Sequence, residues 1–386
     1  MESAFWIGIG LLAYTYAGYF LLLSLLAPLA RRFRRRVRAD DHHRPSVSMV
    51  ISLHNEEKLI GARIDNFEAL DYPPGQLDLL LGDDCSTDRT RAIIRDRVVR
   101  NPRIRLVEFD QHLGKTEVIN QLVPQARGDI IAFSDANTFY EPDALRWMVR
   151  HFADPRGGTV CGRLVLKSAT GANTDDSYWR YETLTKQREG DLGVVLGANG
   201  GIYALRKELF RPLASHVIQI DDFIWPVRVY EQGFTGVYEP AALAQEEAAP
   251  WVEAEFRRKV RIGTGDYRAL RECWRLLLPW KGWIAFAFWS HKVVRWLAPL
   301  LLAVILASNA CLLDRAVYRV LFGLQLAFYS AAVLGGAISR QRHLLARLCR
   351  IPYYFVGSNV ALLIGFFKCV TGRQTAAWSQ KAHRPC

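Results

Sequence analysis

The chain reads as an α/β protein, a parallel sheet with helices on both faces, flanked by segments apolar enough for a bilayer. Three observations predict this. From Ser46 to about Ser168, short apolar runs alternate with helical patterns, and repeated β-α-β-α builds a parallel sheet. Ile130-Ile131-Ala132-Phe133 is apolar at every position, as a strand buried on both faces must be. Polar residues then gather where the strands end, Asp135 and Asn137 among them. In open α/β sheets ligands collect at those ends.

Ala4 to Ala30 carries no formal charge and is long enough to cross a bilayer. Arg31, Arg32, Arg34, Arg35, Arg36 and Arg38 follow it. A signal peptide carries its basic residues before the apolar run, so residues 1–30 read as a retained anchor. Its amino terminus is expected outside, and the basic linker 31–45 in the cytoplasm. The net charge of +12 therefore reports membrane topology, and no nucleic-acid partner is expected. Seven cysteines without a CxxC pair predict neither a metal cluster nor a disulfide framework, and fit a reducing compartment.

Val47 to Ile51 is the first strand, and Asn55-Glu56-Glu57 opens a helix reaching about Leu70. Leu77 to Leu81 is the second strand; Ser86-Thr87-Asp88 caps the next helix, because short oxygen side chains satisfy free amide hydrogens there. Ile104 to Phe109 is the third, followed by a helix from Lys115 and then the strand ending at Asp135. Residues 46–170 thus form one half of the domain. From 171 to 271 the periodicity weakens and Gly, Trp and Tyr are frequent, which predicts an acceptor-side lobe rather than more sheet. Residues 272–292, rich in Trp with Lys281, His291 and Lys292 nearby, suit a helix in the membrane interface. Within 293–370 lie three apolar segments, Trp296–Leu313, Val317–Ile338 and Ile351–Val370. Pro352, Gly357 and Asn359 make the last a candidate for a re-entrant or interfacial segment. Three spans place the tail 371–386 outside, whereas Arg373, Lys381 and Arg384 argue for inside.

Each strand end carries candidate chemistry. His54 and Glu56, between a strand and a helix, can meet an anion or a base edge. Asp83 and Asp84 repel one another, so one of them needs a donor such as the ring N–H of uracil. Lys115 opens a helix and suits a phosphate or a base. Asp135 and Asn137 offer oxygens to a hard cation, which takes one or two protein oxygens plus substrate phosphates. Capping explains most of these motifs singly; together, in one sheet, they call for more.

With these motifs in order, the chain resembles the family 2 glycosyltransferases of the GT-A fold from about Ser46 to Arg268. The likeness extends to membrane-integrated bacterial enzymes of the exopolysaccharide and poly-N-acetylglucosamine synthase type. Ile51 to Glu57 is similar to the family's Pro-x-Tyr-Asn-Glu stretch, with Ser52 and His54 in place of proline and tyrosine. Asp83 to Asp88 resembles its Asp-Asp-x-Ser-Thr-Asp, and His112 to Lys115 its Asn-x-Gly-Lys. Asp135-Ala136-Asn137 stands where the family has Asp-x-Asp, and Asp221-Asp222 where it has a paired acid. Arg258 and Arg261 occupy the basic positions of a (Gln/Arg)-x-x-Arg-Trp motif whose tryptophan is Ile262 here.

The resemblance implies a GT-A nucleotide-sugar-binding domain, a UDP-sugar donor, Mg²⁺ or Mn²⁺, inversion and a β-linked product. His54, Glu56, Asp83, Asp84, Lys115 and Asp135 are then expected at the nucleotide, and Asp135 and Asn137 at the metal. Asp222 is expected as the base, with Asp221 raising its pKa by like charge. Arg258 and Arg261 would stabilise the departing diphosphate, and Asn199 and Gly200 would line the acceptor site. The expected product is an exopolysaccharide or envelope glycan, with other polysaccharide-export components as partners. The expected location is a bacterial inner membrane. Two rival readings stand beside it: transfer of one sugar to a lipid carrier or glycolipid, and a membrane scaffold without catalysis, which Asn137 and Ile262 keep open.

Overall fold

The computed structural model describes residues 1–33, 37–167, 175–214, 220–247, 252–338 and 344–372. Arg34, Arg35, Arg36, Arg340, Arg342, Arg373, Lys381 and Arg384 of the expected basic clusters lie outside the described residues. The chain divides into a sheet unit, Leu23–Pro250 with Cys273–Ala285, and a helical unit, Met1–Leu22, Trp251–Glu272 and Phe286–Gln374.

The chain opens with α1 (Glu2–Ala13), a π-helical turn Tyr14–Gly18 and α2 (Tyr19–Phe33). The sheet unit continues through β1 (Val47–Leu53), α3 (Ile60–Glu68), β2 (Leu77–Asp84), α4 (Thr90–Arg100) and β3 (Ile104–Phe109). Next come α5 (Lys115–Leu122), β4 (Ile130–Phe133), β5 (Thr138–Tyr140), α6 (Ala144–Val149) and β6 (Gly157–Lys167). It closes with α7 (Asp175–Asp191), β7 (Tyr203–Arg206), α8 (Asp221–Glu231) and β8 (Thr235–Glu247). All eight strands form one sheet in the order β3-β2-β1-β4-β7-β6-β8-β5. β1 pairs in parallel with β2 and β4, and β2 with β3, as the alternation predicts. β4 is buried at every residue and sits fourth of the eight.

The second half departs from expectation. β7 and β8 fall within residues 171–271 and extend the same sheet, with β7 antiparallel to both β4 and β6. Their signal is weak for a physical reason. β7 has only four residues, and β8 contains Pro240 in an alanine-rich run, so neither shows a clean period of two. The helix expected from Asn55 begins only at Ile60, because residues 54–59 form the turn described below. One face of the sheet packs Met49, Ile51, Leu79 and Leu81 on Ile64 and Phe67 of α3. All six are 0% exposed, and each such side chain contributes about 1.5–3 kcal/mol relative to exposure.

In the helical unit, α9 (Val252–Glu272) packs along α14, with Lys259 Nζ donating to Ser358 Oγ at 2.9 Å. α10 (Trp283–Ala287), a second π turn Phe288–Val293 and α11 (Val294–Trp296) lead to α12 (Ala298–Ala310), α13 (Ala316–Ile338) and α14 (Leu344–Thr371). The two π turns meet where Tyr14 OH donates to Ser290 Oγ at 2.7 Å. Glu2–Ala30, Ala316–Ile338 and Leu344–Thr371 are long and apolar enough to cross a membrane. Trp283–Trp296 and Ala298–Ala310, bent by 58°, make up to four if the pair counts as one span. The discontinuity expected at Pro352 therefore falls elsewhere, since α14 runs unbroken through that proline for 28 residues. The expected interfacial helix also begins as short 3₁₀ turns, Trp274–Leu277 and Pro279–Lys281. Trp274 and Trp280 are exposed there.

Candidate active site

The ends of β1 and β2 are locked into one turn. Asn55 and Cys85 both adopt left-handed backbone, with φ of 56° and 57°; such strain persists only where the surroundings impose it, and it clusters at functional sites. Ser86 Oγ accepts from the Asn55 N–H at 2.9 Å, and Asn55 Oδ1 accepts from the Thr87 N–H at 2.7 Å. Glu56 is buried behind them, its N–H donating to Thr90 Oγ1 at 2.7 Å.

Asp83 and Asp84 both meet donors inside the protein, while Asp83 Oδ1 is buried without a hydrogen-bond partner. Asp83 is fully buried, and its carboxylate accepts from Arg91 Nε at 2.9 Å and Nη2 at 2.6 Å. Asp84 accepts the N–H groups of Leu113 and Gly114 at 2.6 and 2.8 Å, with His112 Nδ1 at 2.9 Å. Gly114, at φ 86°, turns its amide inward without a Cβ penalty. Asp83 thus braces α4 through Arg91, and Asp84 fixes where α5 begins. The partly exposed rings of His54 and His112 face one another beside it, 4.4 Å apart.

At the end of β4 the polar groups converge. Lys115, first residue of α5, places Nζ 2.8 Å from Asp135 Oδ1 and 3.4 Å from Asp221 Oδ2. One ammonium therefore ties the strand-end acid to the acid pair. Asp221 and Asp222 form the first turn of α8, where carboxylates are favoured by the helix dipole; the capping role and the acid-pair role coincide. Burial and the neighbouring Asp221 push the Asp222 carboxyl up to about 6, against the pull of Lys115 and Lys186. Burial alone would lower the Lys115 ammonium, but Asp135, Asp221 and Asp222 together raise it above its ordinary range.

The loop carrying Asn199 and Gly200 is held against Asp222. The Ala198 N–H donates to the Asp222 carbonyl at 2.8 Å. A Cβ on Gly200 would lie 2.9 Å from Asp222 Oδ2, so a larger residue there would have to displace the Asp222 carboxylate. Asn199 is buried; it donates to the Gly162 carbonyl at 2.7 Å and accepts from Lys186 Nζ at 2.7 Å.

Two functional candidates escaped the sequence reading. Lys186, on polar α7, looks solvated in sequence yet is only 9% exposed. Arg63, on α3, is fully buried behind the end of β4, with Nη2 donating to Ser134 Oγ at 3.1 Å and Nη1 to Asn66 Oδ1 at 3.1 Å. Burial lowers its pKa to about 10, opposed by Tyr140 and Asp135, so it is cationic at neutral pH. A buried arginine facing Asp135 adds a second positive charge to this strand end.

Asp135, Lys115, Asp221, Asp222, Asn199 and Gly200 are thus gathered in the sheet unit. Asn137 donates its amide nitrogen to Glu246 of β8 at 2.9 Å, which leaves the amide oxygen as its remaining acceptor. Arg258 and Arg261 stand on α9 of the helical unit. Among the described residues, no three His, Cys, Asp or Glu side chains form a group able to hold a metal by themselves. Asp135, however, already holds a cation in the Lys115 ammonium. A hard ion using that carboxylate and an amide oxygen, completed by phosphates, fits such a donor set.

The mixed sheet with acids at its central strand ends has the GT-A fold. A mannosyltransferase from Pyrobaculum calidifontis, solved in complex with GDP-Man and Mn²⁺, superposes with a TM-score of 0.69 at 20% identity, covering 96% of this chain and 100% of that one. Residues 48–214 match the model of Glycosyl transferase family 2. The β-monoglucosyldiacylglycerol synthase of Synechocystis is 28% identical over 194 residues, 46% of this chain and 40% of that protein. The Nostoc synthase of the same name is 25% identical over 61% of this chain and 52% of its own length. The poly-β-1,6-N-acetyl-D-glucosamine synthase of Staphylococcus aureus is 22% identical over 62% of this chain and 60% of its own. The chain thus spans about half the length of the first two of these relatives.

Proposed function

We propose that the chain is an inverting glycosyltransferase, held in a membrane by its apolar helices, that moves a sugar from a nucleotide-activated donor to an envelope glycan. The observation that carries this reading is the single ammonium of Lys115 joining Asp135 to the Asp221-Asp222 pair. Asp135 on the donor side and Asp222 as base would then work within reach of one lysine.

Asp222 takes the proton of the acceptor hydroxyl as that oxygen attacks the anomeric carbon. The bond from the anomeric carbon to the diphosphate oxygen breaks on the opposite face, and the diphosphate leaves with the electron pair. Asp221 and burial keep Asp222 basic enough to accept the proton. The loop at Asn199 and Gly200 holds the acceptor close to that carboxylate. Asp135, with the amide oxygen of Asn137, would hold Mg²⁺ or Mn²⁺, which when bound neutralises charge on the diphosphate. The turn carrying His54, Glu56, Asp83 and Asp84 would frame the nucleoside.

The test is a donor screen by nucleotide release on detergent-purified protein, across UDP- and GDP-sugars. UDP-sugar turnover is expected; absence of turnover with every donor would favour a non-catalytic scaffold. The second reading, a single sugar added to a lipid, is favoured by Ile262 and by the glucolipid synthases among the relatives. Labelled polymer against a one-sugar lipid separates the two. Chelation with EDTA is expected to stop nucleotide release and Mn²⁺ to restore it; full activity in EDTA would contradict the role given to Asp135 and Asn137.

Lys186 offers a finer test. Its charge lowers the Asp222 pKa, so Lys186→Met favours the protonated acid and moves the acid limb of the pH–rate profile upward. Lys186→Arg keeps that limb near the wild-type position. An unmoved limb in the Met variant would show that Lys186 serves only to hold Asn199.

A further inference from the structure

We infer that Lys115 is the resident counter-ion of Asp135 and competes with a divalent cation there, so that metal binds well only after a nucleotide diphosphate draws the ammonium away. The inference rests on the donor-side reading of Asp135 above, and gives Lys115 a role beyond touching a nucleotide.

Its ammonium lies 2.8 Å from Asp135 Oδ1 and 3.4 Å from Asp221 Oδ2. With Asp222 one residue further along α8, the Lys115 ammonium interacts with three carboxylates. About a third of the Lys115 side chain is exposed, so the contact is only partly screened by solvent. A divalent ion on the same oxygen would meet this ammonium at close range, and two cations sharing one carboxylate oxygen repel. Lysine's long, flexible stem and three rotatable donors let the ammonium move to other anions. The base of that stem is fixed, since the Gly114 amide is bound by Asp84. A diphosphate beside Asp135 offers such anions and releases the carboxylate. The coupling is reciprocal, so metal strengthens diphosphate binding by the same factor.

Mn²⁺ binding to the full chain in detergent, read by the electron paramagnetic resonance of free Mn²⁺, tests this with and without UDP or GDP. The wild type is expected to bind Mn²⁺ weakly alone and more tightly with nucleotide. Lys115→Met is expected to bind Mn²⁺ alone about tenfold tighter or more, within the usual range of coupling between two sites. Lys115→Arg keeps the charge and stays weak. Circular dichroism checks the fold, and Lys115→Gln supplies the same comparison if the Met variant unfolds. Asp135→Asn should lose Mn²⁺ in every condition. If it does, yet removing the Lys115 charge tightens nothing, the competition is overturned and the metal reading stands. If Asp135→Asn keeps wild-type Mn²⁺ binding, both fall.

Discussion

Asparagine in place of Asp222 is expected to lower sugar transfer about 10²–10⁴-fold, the range that positioned general bases supply. Nucleotide binding, measured by calorimetry on the same protein, is expected to stay near wild type, because the groups proposed to meet the donor lie on other elements, Lys115 on α5 and Asp135 after β4. Loss of donor binding in parallel would place Asp222 in the donor site instead. The pH dependence has a definite sign. With the Asp222 carboxyl pushed up to about 6, the base is ionised above that pH and protonated below it, so wild-type transfer declines as pH falls through about 6. Asp222→Asn removes that limb from whatever activity remains. A wild-type rate flat down to pH 4.5 would exclude Asp222 as the group that takes the proton.

The sequence was most legible where local pattern and tertiary position agree. Ile130 to Phe133 is apolar throughout because both faces of β4 are covered, and Ile104–Phe109 falls where the run of β-formers lies. The site acids were legible because each sits at the end of a readable strand or the start of a helix. β7 and β8 were not, because their partners are distant in the chain: Tyr203 pairs with Phe133, and Thr235 with Gly157. Pairing of that kind leaves no mark in a local window. Lys186 and Arg63 were missed for a related reason. A basic residue on a polar helix reads as solvated, and only the fold shows that Asn199 and Ser134 receive them. Asp83 and Asp84 show the converse. Their adjacency was rightly read as demanding donors, but Arg91 and the 113–114 amides lay beyond what spacing could reveal.

Trp225→Ala is expected to have the largest effect on folding of any single change in the sheet unit. Trp225 is only 2% exposed, stacks on Phe133 with ring centroids 5.5 Å apart, and donates its indole N–H to the Arg211 carbonyl at 3.0 Å. Phe133 in turn stacks on Tyr203 at 4.6 Å. The three rings join α8, β4 and β7, so they fix the acid pair relative to the strand that leads to Asp135. Removing the indole costs about 3–5 kcal/mol by the usual scale for buried aromatics. A denaturant titration should show the midpoint fall with little change in slope. Trp225→Phe keeps a ring and loses the N–H bond, at about 0.5–1.5 kcal/mol. If the stack only stabilises, turnover of the folded Phe variant matches wild type. If it also sets the distance between Asp222 and Asp135, turnover falls further than stability does, since small misplacements near reacting groups are costly. The geometry favours the second outcome, because the Trp225 ring lies one helical turn from Asp221 and Asp222 on the same short helix.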